Sequence, residues 1–344
     1  MYRTLREMHI CIYGVLIAIV LLFSLIVFIV NWRRRSFQVK TTNRSVLVTG
    51  CDTGFGHHIA KQLCSRGFNV FAGCLNSTGI GAKDLSKYSK NIHVLQLDVT
   101  KDEEVLGSLS YVESSLGEKE LWAIINNAGV ALGSPECEWC PLDQYQCAMD
   151  VNLFGAIRVT KTFLPLIRKS QGRIINVASI AGRFGVPGFS SYSATKFGLI
   201  GYSECLRKEM SKFNVKVVTI EPSMYKTSIT ETNRILEQNK KSWQNSPENV
   251  KTAYGEEYFK AYQTHVKQGF LEESSGDISP VLDAMEDAVC SSHPRITYIP
   301  ETFHYLRTGL LLTLPYNIQE YILTIWLKTV SCRPRCIEQK DKTD

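Results

Sequence analysis

A strand-like run followed by a cluster of glycines constrains the fold of this chain more than any other feature. The run Ser45-Val-Leu-Val-Thr49 is rich in β-branched residues and suits a strand buried in a parallel sheet. The segment TGCDTGFG follows at Thr49–Gly56 and leads into a helical pattern of apolar residues. Glycines let the backbone turn tightly and approach a pyrophosphate, which a helix N-terminus attracts. The sequence therefore predicts a dinucleotide-binding unit, although a glycine-rich turn without a ligand is the alternative for this loop taken alone.

Strand-like runs alternate with helical patterns between residues 45 and 300. A chain of 344 residues with 44% hydrophobic content can bury one large α/β core. Alternation of this kind favours a parallel sheet. The predicted fold is therefore α/β, a Rossmann-type doubly wound parallel sheet of about seven strands in a single catalytic domain. The predicted strands are Ser45–Thr49, Asn69–Cys74, Ile92–Leu97, Leu121–Asn126, Arg173–Ala178, Val215–Glu221 and Arg295–Ile299.

A tyrosine and a lysine stand four residues apart in the segment YSATK, as Tyr192 and Lys196. Residues at this spacing share one face of a helix. A phenol ordinarily has a pKa of about 10, and a neighbouring ammonium favours its ionised form, which can take a proton from an alcohol. A solvent-exposed helical pair is the alternative for this spacing taken alone.

Ser179 lies thirteen residues before Tyr192 and closes the strand-like run that begins at Arg173. Ligands of open α/β folds bind at the carboxyl ends of the strands. The Ser179 hydroxyl is therefore predicted to hydrogen-bond the same substrate oxygen. Together with the glycine turn, these residues predict a nicotinamide-dependent alcohol/ketone oxidoreductase.

Further motifs occur along the chain in a fixed order: Asp98 in LQLDV, NNAG at Asn126–Gly129 and Asn152 in DVNLFG. With the glycine turn, the serine, the tyrosine and the lysine, they resemble the short-chain dehydrogenase/reductase family over roughly residues 45 to 300. Four segments of the sequence are similar to one branch of that family: VLVTGCDTGFG, FAGCL, FLPLIR and SPVLDAMEDAV. This branch holds retinol dehydrogenases, 17β-hydroxysteroid dehydrogenases and the type 1 3-hydroxybutyrate dehydrogenase.

The resemblance implies roles for four catalytic residues. Tyr192 acts as general base, Ser179 positions the substrate oxygen, and Lys196 lowers the tyrosine pKa and binds the nicotinamide ribose. Asn152 holds a proton-relay water, with a bend-holding amide as the alternative. The predicted cofactor-binding residues are Gly50, Asp52, Gly54, Phe55, Gly56, Asp98, Val99, Asn126, Ala128, Gly129, Tyr192, Lys196 and Pro222.

Two further expectations concern these motifs. Asp98 is expected to contact adenine and NNAG to line the cofactor groove, although a polar strand end is the alternative for Asn126 and Asn127. Ser223 after Pro222 departs from the usual Pro-Gly of the family. The resemblance also implies a homodimer, in which the helix predicted around residues 153–167 pairs with the Tyr192 helix.

The end of the second predicted strand bears on the choice of cofactor. Folds that prefer NAD often carry an acid about 20 residues after the glycine loop, and those that prefer NADP carry a basic residue. Here Ala72-Gly-Cys-Leu75 has neither, and Cys51-Asp-Thr53 adds no positive charge. The sequence therefore favours NAD, with NADP as the alternative.

The N-terminus carries an uncharged, strongly apolar stretch at Ile10–Val30. It is long enough to cross about 30 Å of hydrocarbon as a helix. It also exceeds the apolar region of a signal peptide, and shows no small-residue cleavage site. Arg33–Arg35 follow it, so the positive-inside rule places the catalytic domain in the cytosol. We expect a single-pass endoplasmic reticulum protein, with a mitochondrial membrane as the alternative.

The predicted domains are residues 1–41 (membrane anchor and basic flank), 42–300 (catalytic domain) and 301–344 (apolar extension and polar tail). In the extension, Leu310–Leu314 and Tyr321–Leu327 flank Pro315. Two interpretations stay open: a helix packed on the catalytic core, or a second element that dips into the membrane.

Composition argues against other kinds of partner. The formal charge of +6 comes without a basic stripe interleaved with aromatics, so no nucleic-acid partner is expected. The eleven cysteines are scattered, which favours reduced thiols over a disulfide framework. Cys137 and Cys140 form a C-x-x-C without a second pair at zinc spacing, so no metal is predicted.

Apolar residues between Ser179 and Tyr192 bear on the substrate. Phe184, Val186 and Phe189 would give apolar walls, and together with the membrane anchor they favour a retinoid or steroid alcohol. A 3-hydroxybutyrate substrate is the alternative, and it requires a cation for the carboxylate, for which Arg183 is the candidate. A non-catalytic, NAD-binding membrane scaffold is a third possibility, which the combination of Ser179, Tyr192 and Lys196 disfavours.

Overall fold

The computed structural model describes residues 22, 38–133, 135–327, 330 and 332–340. The chain divides into two compact units, residues 41–289 with 295–344 and residues 1–40 with 290–294. In the smaller unit, the backbone N–H of Val39 donates to the Cys290 carbonyl at 2.8 Å. No helix among the described residues is long and apolar enough to cross a membrane. The predicted span at Ile10–Val30 lies outside the described residues, except for Leu22.

The larger unit is built on a seven-stranded, fully parallel sheet of order β3-β2-β1-β4-β5-β6-β7. This confirms the predicted doubly wound α/β fold. The last strand is shorter than predicted, because only Thr297 and Tyr298 pair with β6. The strands are β1 (Arg44–Thr49), β2 (Asn69–Cys74), β3 (Ile92–Gln96), β4 (Glu120–Asn126), β5 (Arg173–Val177), β6 (Lys216–Ile220) and β7 (Thr297–Tyr298).

Helices cover both faces of this sheet. On one face Ile174 of β5 joins a core that includes Phe163 and Ile167. On the other face Arg173 of the same strand donates to the carbonyl of Ala288 at 2.9 Å. The helices are α1 (Gly54–Ser65), α2 (Ile80–Tyr88), α3 (Asp102–Leu116), α4 (Leu142–Met149), α5 (Ala156–Ser170), α6 (Ser190–Met210), α7 (Thr232–Gln244), α8 (Glu248–Tyr254), α9 (Glu256–Glu273), α10 (Ser279–Cys290), α11 (Thr302–Thr313), α12 (Tyr316–Trp326) and α13 (Arg335–Lys340).

A π-helical turn at Asp150–Gly155 precedes α5. The helical pattern predicted around residues 153–167 therefore begins with an irregular turn. Ile167 is fully buried in the core, whereas Phe154 is 49% exposed. The predicted pairing of α5 and α6 across a dimer interface stays a prediction.

The segments after β6 form the walls beyond the carboxyl edge of the sheet. Helices α7, α8 and α9 share a small aromatic core in which Trp139 contacts Trp243 edge-on, with ring centroids 5.1 Å apart. Helices α11 and α12 belong to the same compact unit as the sheet. Leu311 and Leu323 are buried, so the C-terminal extension packs on the catalytic core.

Candidate active site

The glycine turn between β1 and α1 has a backbone that only glycine adopts readily. Gly50 and Gly54 have φ of +70° and +60°, in the left-handed region. A Cβ on Gly50 would lie 2.8 Å from the Ala128 Cα, and a Cβ on Gly56 would lie 2.3 Å from the Gly50 carbonyl oxygen. Gly50 and Gly56 are therefore packed so closely, against the loop after β4 and within the turn itself, that a side chain is excluded at each of them.

Asn127, a member of the NNAG motif that was predicted to line the cofactor groove, connects that loop to the glycine turn. Its Nδ2 donates to the carbonyl oxygens of Thr49 and Gly50 at 2.9 and 3.1 Å. The backbone N–H groups of Asn127 and Ala128 donate to the Thr49 hydroxyl at 3.1 and 3.0 Å. The NNAG motif was the available signal, and Asn127 is its member that shapes the cofactor loop.

Asn126, in contrast, faces the helix layer. Its Nδ2 donates to Thr160 Oγ1 at 2.9 Å and to Asn176 Oδ1 at 2.8 Å. The side chain is buried. Asn126 thus holds β4 and β5 against α5, as the strand-end alternative proposed. The predicted contact of Asn126 with the dinucleotide stays a prediction, and the backbone of Asn126 would have to make it.

The two predicted acidic residues both stabilise loops at the carboxyl edge. The Asp52 carboxylate accepts the backbone N–H groups of Leu75 and Asn76 at 2.8 and 2.9 Å, which couples the glycine turn to the end of β2. The Asp98 carboxylate accepts the Thr100 N–H and hydroxyl at 3.0 and 2.7 Å. These bonds position both residues at the edge where β1, β2 and β3 end.

Three other predicted cofactor residues lie beside them. A Cβ on Gly155 would lie 2.6 Å from Val99 Cγ2, so Val99 packs tightly on the π-helical turn. Phe55 contacts the ring of Tyr225 edge-on, with centroids 5.8 Å apart. Phe55, Tyr225 and Pro222 line one small cavity of about 80 Å³.

Tyr192 and Lys196 lie one turn apart on α6 and face the same cavity. The Lys196 Nζ is 5.4 Å from the centroid of the Tyr192 ring. It also donates to the Val177 carbonyl oxygen at 2.8 Å, at the end of β5. This bond holds the buried ammonium beside the phenol.

Ser179 follows the end of β5 and lines the cavity with Tyr192. Its hydroxyl donates to the Pro222 carbonyl at 3.2 Å and accepts the Ala181 N–H at 3.2 Å. A hydrogen bond between Ser179 and the phenol lowers the pKa of Tyr192. Since a serine hydroxyl can rotate between acceptors, Ser179 can turn from Pro222 toward a substrate oxygen.

Burial decides the protonation of the tyrosine and the lysine. Desolvation raises the pKa of Tyr192 to about 12, and the Ser179 hydrogen bond only partly opposes this rise. Desolvation also lowers the pKa of Lys196 to about 8. The predicted net lowering of the Tyr192 pKa is therefore wrong for this structure, because loss of hydration disfavours both charged forms.

Asn152 lies in the π-helical turn and is buried. Its Oδ1 accepts the Val130 N–H at 2.7 Å, and its Nδ2 donates to the Val130 carbonyl at 2.9 Å and to Thr195 Oγ1 at 3.1 Å. Asn152 therefore connects the loop after β4 to the helix that carries Lys196. π-Helical turns are frequent at functional sites.

A second, larger cavity of about 390 Å³ adjoins the first and shares Ser179 and Tyr192 with it. Its volume lies within the range of about 300–1,000 Å³ that is usual for small-molecule sites. Phe184, Val186 and Phe189 line it, as predicted. Met224 and Ile229, from the segment after β6, also line it. The lining residues that the sequence did not indicate come from the C-terminal extension: His304, Arg307, Thr308, Leu311, Leu323, Trp326 and Leu327.

Known proteins are similar to this chain in sequence and in fold. The family model described as short chain dehydrogenase matches residues 44–238. The chain belongs to the short chain dehydrogenase family. The 17-beta-hydroxysteroid dehydrogenase type 6 of Bos taurus is 38% identical over 299 residues, which cover 86% of this chain and 93% of that protein. The retinol dehydrogenase 7 of Rattus norvegicus is 39% identical over 268 residues, which cover 78% and 83%.

Solved structures share the fold at lower identity. A short-chain dehydrogenase from Streptomyces avermitilis has a TM-score of 0.64 and 22% identity, and the match covers 88% of this chain and 99% of that one. A short chain dehydrogenase/reductase from Burkholderia phymatum, in complex with NAD, has a TM-score of 0.64 and 17% identity, covering 80% and 95%. As a short chain dehydrogenase, the protein is an NAD(P)-dependent alcohol dehydrogenase and ketone reductase.

The site of this short chain dehydrogenase fits a dinucleotide. The glycine turn leaves no room for a Cβ at Gly50 or Gly56 and leads into α1, whose first N–H groups have no acceptor within the helix. The hydroxyl of Thr53 at the start of α1 is hydrogen-bonded to Ser228 at 2.7 Å rather than capping that helix. The turn, the helix start and the small cavity would thus hold the pyrophosphate and nicotinamide ends of the cofactor.

Arg183, the candidate carboxylate ligand, is held by an ion pair. Its Nε and Nη2 donate to the two carboxylate oxygens of Glu221 at 2.8 and 2.7 Å. Glu221 is fully buried at the end of β6. The arginine thereby stabilises the loop after Ser179, and it does not line the larger cavity.

The part of the chain that the structure describes contains no cluster of side chains that suits a metal ion. None of the described His, Cys, Asp and Glu residues form a group of three or more that could hold an ion. Cys137, of the C-x-x-C pair, accepts a hydrogen bond from the Tyr145 hydroxyl at 3.4 Å.

Proposed function

We propose that the protein is a membrane-anchored oxidoreductase that interconverts a lipophilic alcohol, a retinoid or a hydroxysteroid, and its carbonyl. One observation carries the proposal: Ser179 and Tyr192 form a wall common to the apolar cavity and the cavity of the glycine turn. A substrate carbon held at this wall would lie between the apolar pocket and the cofactor. The names of the relatives from Bos taurus and Rattus norvegicus support the two substrate classes.

The proposed chemistry places a proton at the Tyr192 phenol. In alcohol oxidation the phenolate oxygen accepts the substrate hydroxyl proton, and in carbonyl reduction the phenol returns it. The Ser179 hydroxyl turns from the Pro222 carbonyl to donate to the substrate oxygen as charge develops there. A dinucleotide held by the glycine turn would supply the acceptor or donor for the hydride.

Lys196 and Asn152 are proposed to serve this proton transfer. With its pKa at about 8, Lys196 can gain and lose a proton near physiological pH, and we propose that its ammonium also binds the nicotinamide ribose. Asn152 holds the loop after β4 against α6 through Val130 and Thr195. We propose that the backbone of its π-helical turn holds the proton-relay water.

NAD is the proposed form of the cofactor, with NADP second. Leu75, at the end of β2, is 62% exposed and offers no positive charge to a 2′-phosphate. The Asp52 carboxylate lies beside it, since it accepts the Leu75 N–H. A negative charge at this position disfavours the phosphorylated cofactor.

We further propose that Ile10–Val30 anchors the protein in the membrane of the endoplasmic reticulum, with the catalytic domain in the cytosol. We also propose that the protein is a homodimer. The apolar, uncharged sequence of the N-terminal stretch and the basic residues after it support the anchor and this location.

A 3-hydroxybutyrate dehydrogenase is the second candidate function. Arg183 does not favour it, because Glu221 holds its guanidinium. Arg307, however, lines the larger cavity and offers a cation to a carboxylate there. The first candidate is preferred because most of the lining is apolar and because the cavity is far larger than a four-carbon acid needs.

The substrate assay separates the two candidates. Membranes that contain the full-length enzyme should reduce NAD with retinol or estradiol, with saturation, and show no saturable rate with D-3-hydroxybutyrate. Membranes that carry Tyr192→Phe are the matched control for endogenous activity. Saturable turnover of the small acid alone would reverse the order of the candidates.

The pH dependence of the two directions should be opposite. Oxidation needs a phenol that accepts a proton, and below its pKa of about 12 Tyr192 is mostly protonated. We therefore expect kcat/KM for oxidation to rise with pH between about 7 and 10, by up to tenfold per unit, and reduction to fall as Lys196 loses its proton above about 8. Lys196→Arg, which keeps its charge, should lose the inflection near 8. Fastest oxidation at acidic pH would contradict this assignment.

A further inference from the structure

The two helices of the C-terminal extension carry apolar side chains on their outer surface. Along α11, Leu306 and Leu310 are 63% and 68% exposed, and along α12, Tyr321 and Ile325 are 69% and 59% exposed. Each pair is spaced i, i+4, so its members share a helix face. We call this surface the C-terminal apolar face: Tyr305, Leu306, Leu310, Leu312, Tyr316, Ile318, Tyr321, Ile325 and Trp326.

The opposite side of the same two helices faces the substrate cavity, where α11 contributes His304, Arg307 and Thr308 beside Leu311. Leu311 and Leu323 are buried and line that cavity, and Trp326 belongs both to the lining and to the apolar face. Between residues 305 and 326 only Arg307 and Glu320 carry a formal charge. A cluster of exposed apolar side chains on adjacent helices marks an interaction surface, whereas isolated exposed apolar residues elsewhere on a protein surface are ordinary.

We propose that the C-terminal apolar face lies in the headgroup and upper acyl region of a lipid bilayer, and that the substrate enters its cavity from the bilayer between α11 and α12. The entry route rests on the lipophilic substrate of the proposed function, whereas the lipid contact does not. The two helices would then form a wall with lipid on one side and substrate on the other.

Three features favour lipid over a second copy of the chain as the occupant. The face contains tyrosines and a tryptophan, which are enriched at the interface between lipid and water. The exposed Arg333 and Arg335 follow α12 and suit anionic headgroups. The apolar sequence at Ile10–Val30 would hold the same molecule at a membrane, where an exposed apolar face gains from inserting.

Quenching of Trp326 tests the lipid contact without reference to activity. The full-length chain is reconstituted in vesicles of phosphatidylcholine and phosphatidylserine, with and without bromine on the acyl chains. We expect brominated lipid to quench part of the tryptophan emission, and Trp326→Phe to remove a share of that quenched part. Trp243→Phe, which replaces a buried tryptophan, is the control and should leave the quenched part unchanged. Equal quenching in the parent and Trp326→Phe would overturn the proposal.

Charged replacements on the face test the entry route. Leu310 and Tyr321 do not line the cavity, so the double variant Leu310→Asp/Tyr321→Asp should keep kcat. Its KM for retinol or estradiol carried in vesicles should rise about tenfold or more, since the face no longer inserts, while its KM for a short water-soluble alcohol stays the same. The control is Leu106→Asp, which changes a 55% exposed leucine on α3, and no KM should change.

Three other outcomes of these experiments would each lead to a different conclusion. An equal rise of KM for both substrates would overturn the entry route, because it would indicate damage to the site itself. Conversion of a detergent-solubilised dimer to monomers by the double variant, with Trp326 unquenched in vesicles, would assign the face to a second copy instead. If the parent enzyme turns over neither lipophilic substrate, the proposed function fails, and the quenching result still decides the lipid contact.

Discussion

Replacing Tyr192 with phenylalanine should lower turnover by about 10²- to 10⁴-fold, the usual contribution of a positioned acid or base. The substitution removes the oxygen that is proposed to exchange a proton with the substrate and keeps the ring that lines both cavities. Binding of NADH, followed by fluorescence titration, should stay nearly intact, because the glycine turn and Asn127 are untouched. Steady-state rates and the titration together distinguish lost chemistry from lost binding.

A tyrosine elsewhere on the same helix gives the matched control. Tyr202 also lies on α6 and is half-buried, and a hydrogen bond with Thr160 acts on its phenol. Tyr202→Phe should therefore cost some stability and leave kcat close to that of the parent. Turnover retained in Tyr192→Phe would refute the assignment of the general base, and equal losses in both variants would indicate a structural effect of removing a buried hydroxyl.

The sheet was predictable because each of its strands is a short apolar run between turn residues. Six of the seven strands lie within one residue of their predicted ends. The exception, β7, pairs only through Thr297 and Tyr298 at the edge of the sheet. The sequence does not reveal where an edge strand stops pairing, because that limit depends on its single neighbour and not on its own apolar pattern.

Local spacing predicted well that Tyr192 and Lys196 share one face of a helix. It predicted less well which of two neighbouring residues at the end of a strand faces the cofactor loop. Tyr192 and Lys196 share a cavity because the helix period brings them together. Asn126 and Asn127 are both amides, yet one faces the helix layer and the other faces the glycine turn. Successive side chains at a strand end point to opposite sides, and the sequence alone does not identify which of two identical residues faces the ligand.

The distant walls of the site and the state of its protons needed the folded chain. Leu311, Leu323 and Trp326 lie more than 100 residues after Tyr192, and no local pattern brings them to the substrate cavity. The spacing of Tyr192 and Lys196 predicts a lowered phenol pKa, but burial raises the pKa of Tyr192 and lowers that of Lys196. Burial depends on all the elements that enclose a residue, so it cannot be derived from a spacing of four.

Replacing Gly56 with alanine should weaken dinucleotide binding strongly, the second large effect that we expect. The added Cβ would lie 2.3 Å from the Gly50 carbonyl oxygen and 2.5 Å from Asn127 Nδ2, both inside contact distance. Overpacking of this kind costs about 1–3 kcal/mol, which corresponds to a rise of roughly 5- to 150-fold in the Kd for NADH if the strain falls on the cofactor loop. Fluorescence titration measures the Kd, and thermal unfolding measures the strain that falls on the fold instead.

Gly107→Ala is the matched control for this substitution. Gly107 lies in α3, and an added Cβ would meet nothing within 4 Å. Since alanine is about 1 kcal/mol more favourable than glycine inside a helix, this variant should be as stable as the parent or more so, with an unchanged Kd. A Gly56→Ala enzyme that binds NADH as tightly as the Gly107→Ala enzyme would contradict the assignment of the glycine turn as the pyrophosphate site. Weaker binding with an unchanged melting temperature would instead locate the strain in the cofactor loop, because Asn127 and Gly50 meet there and the core of the sheet lies elsewhere.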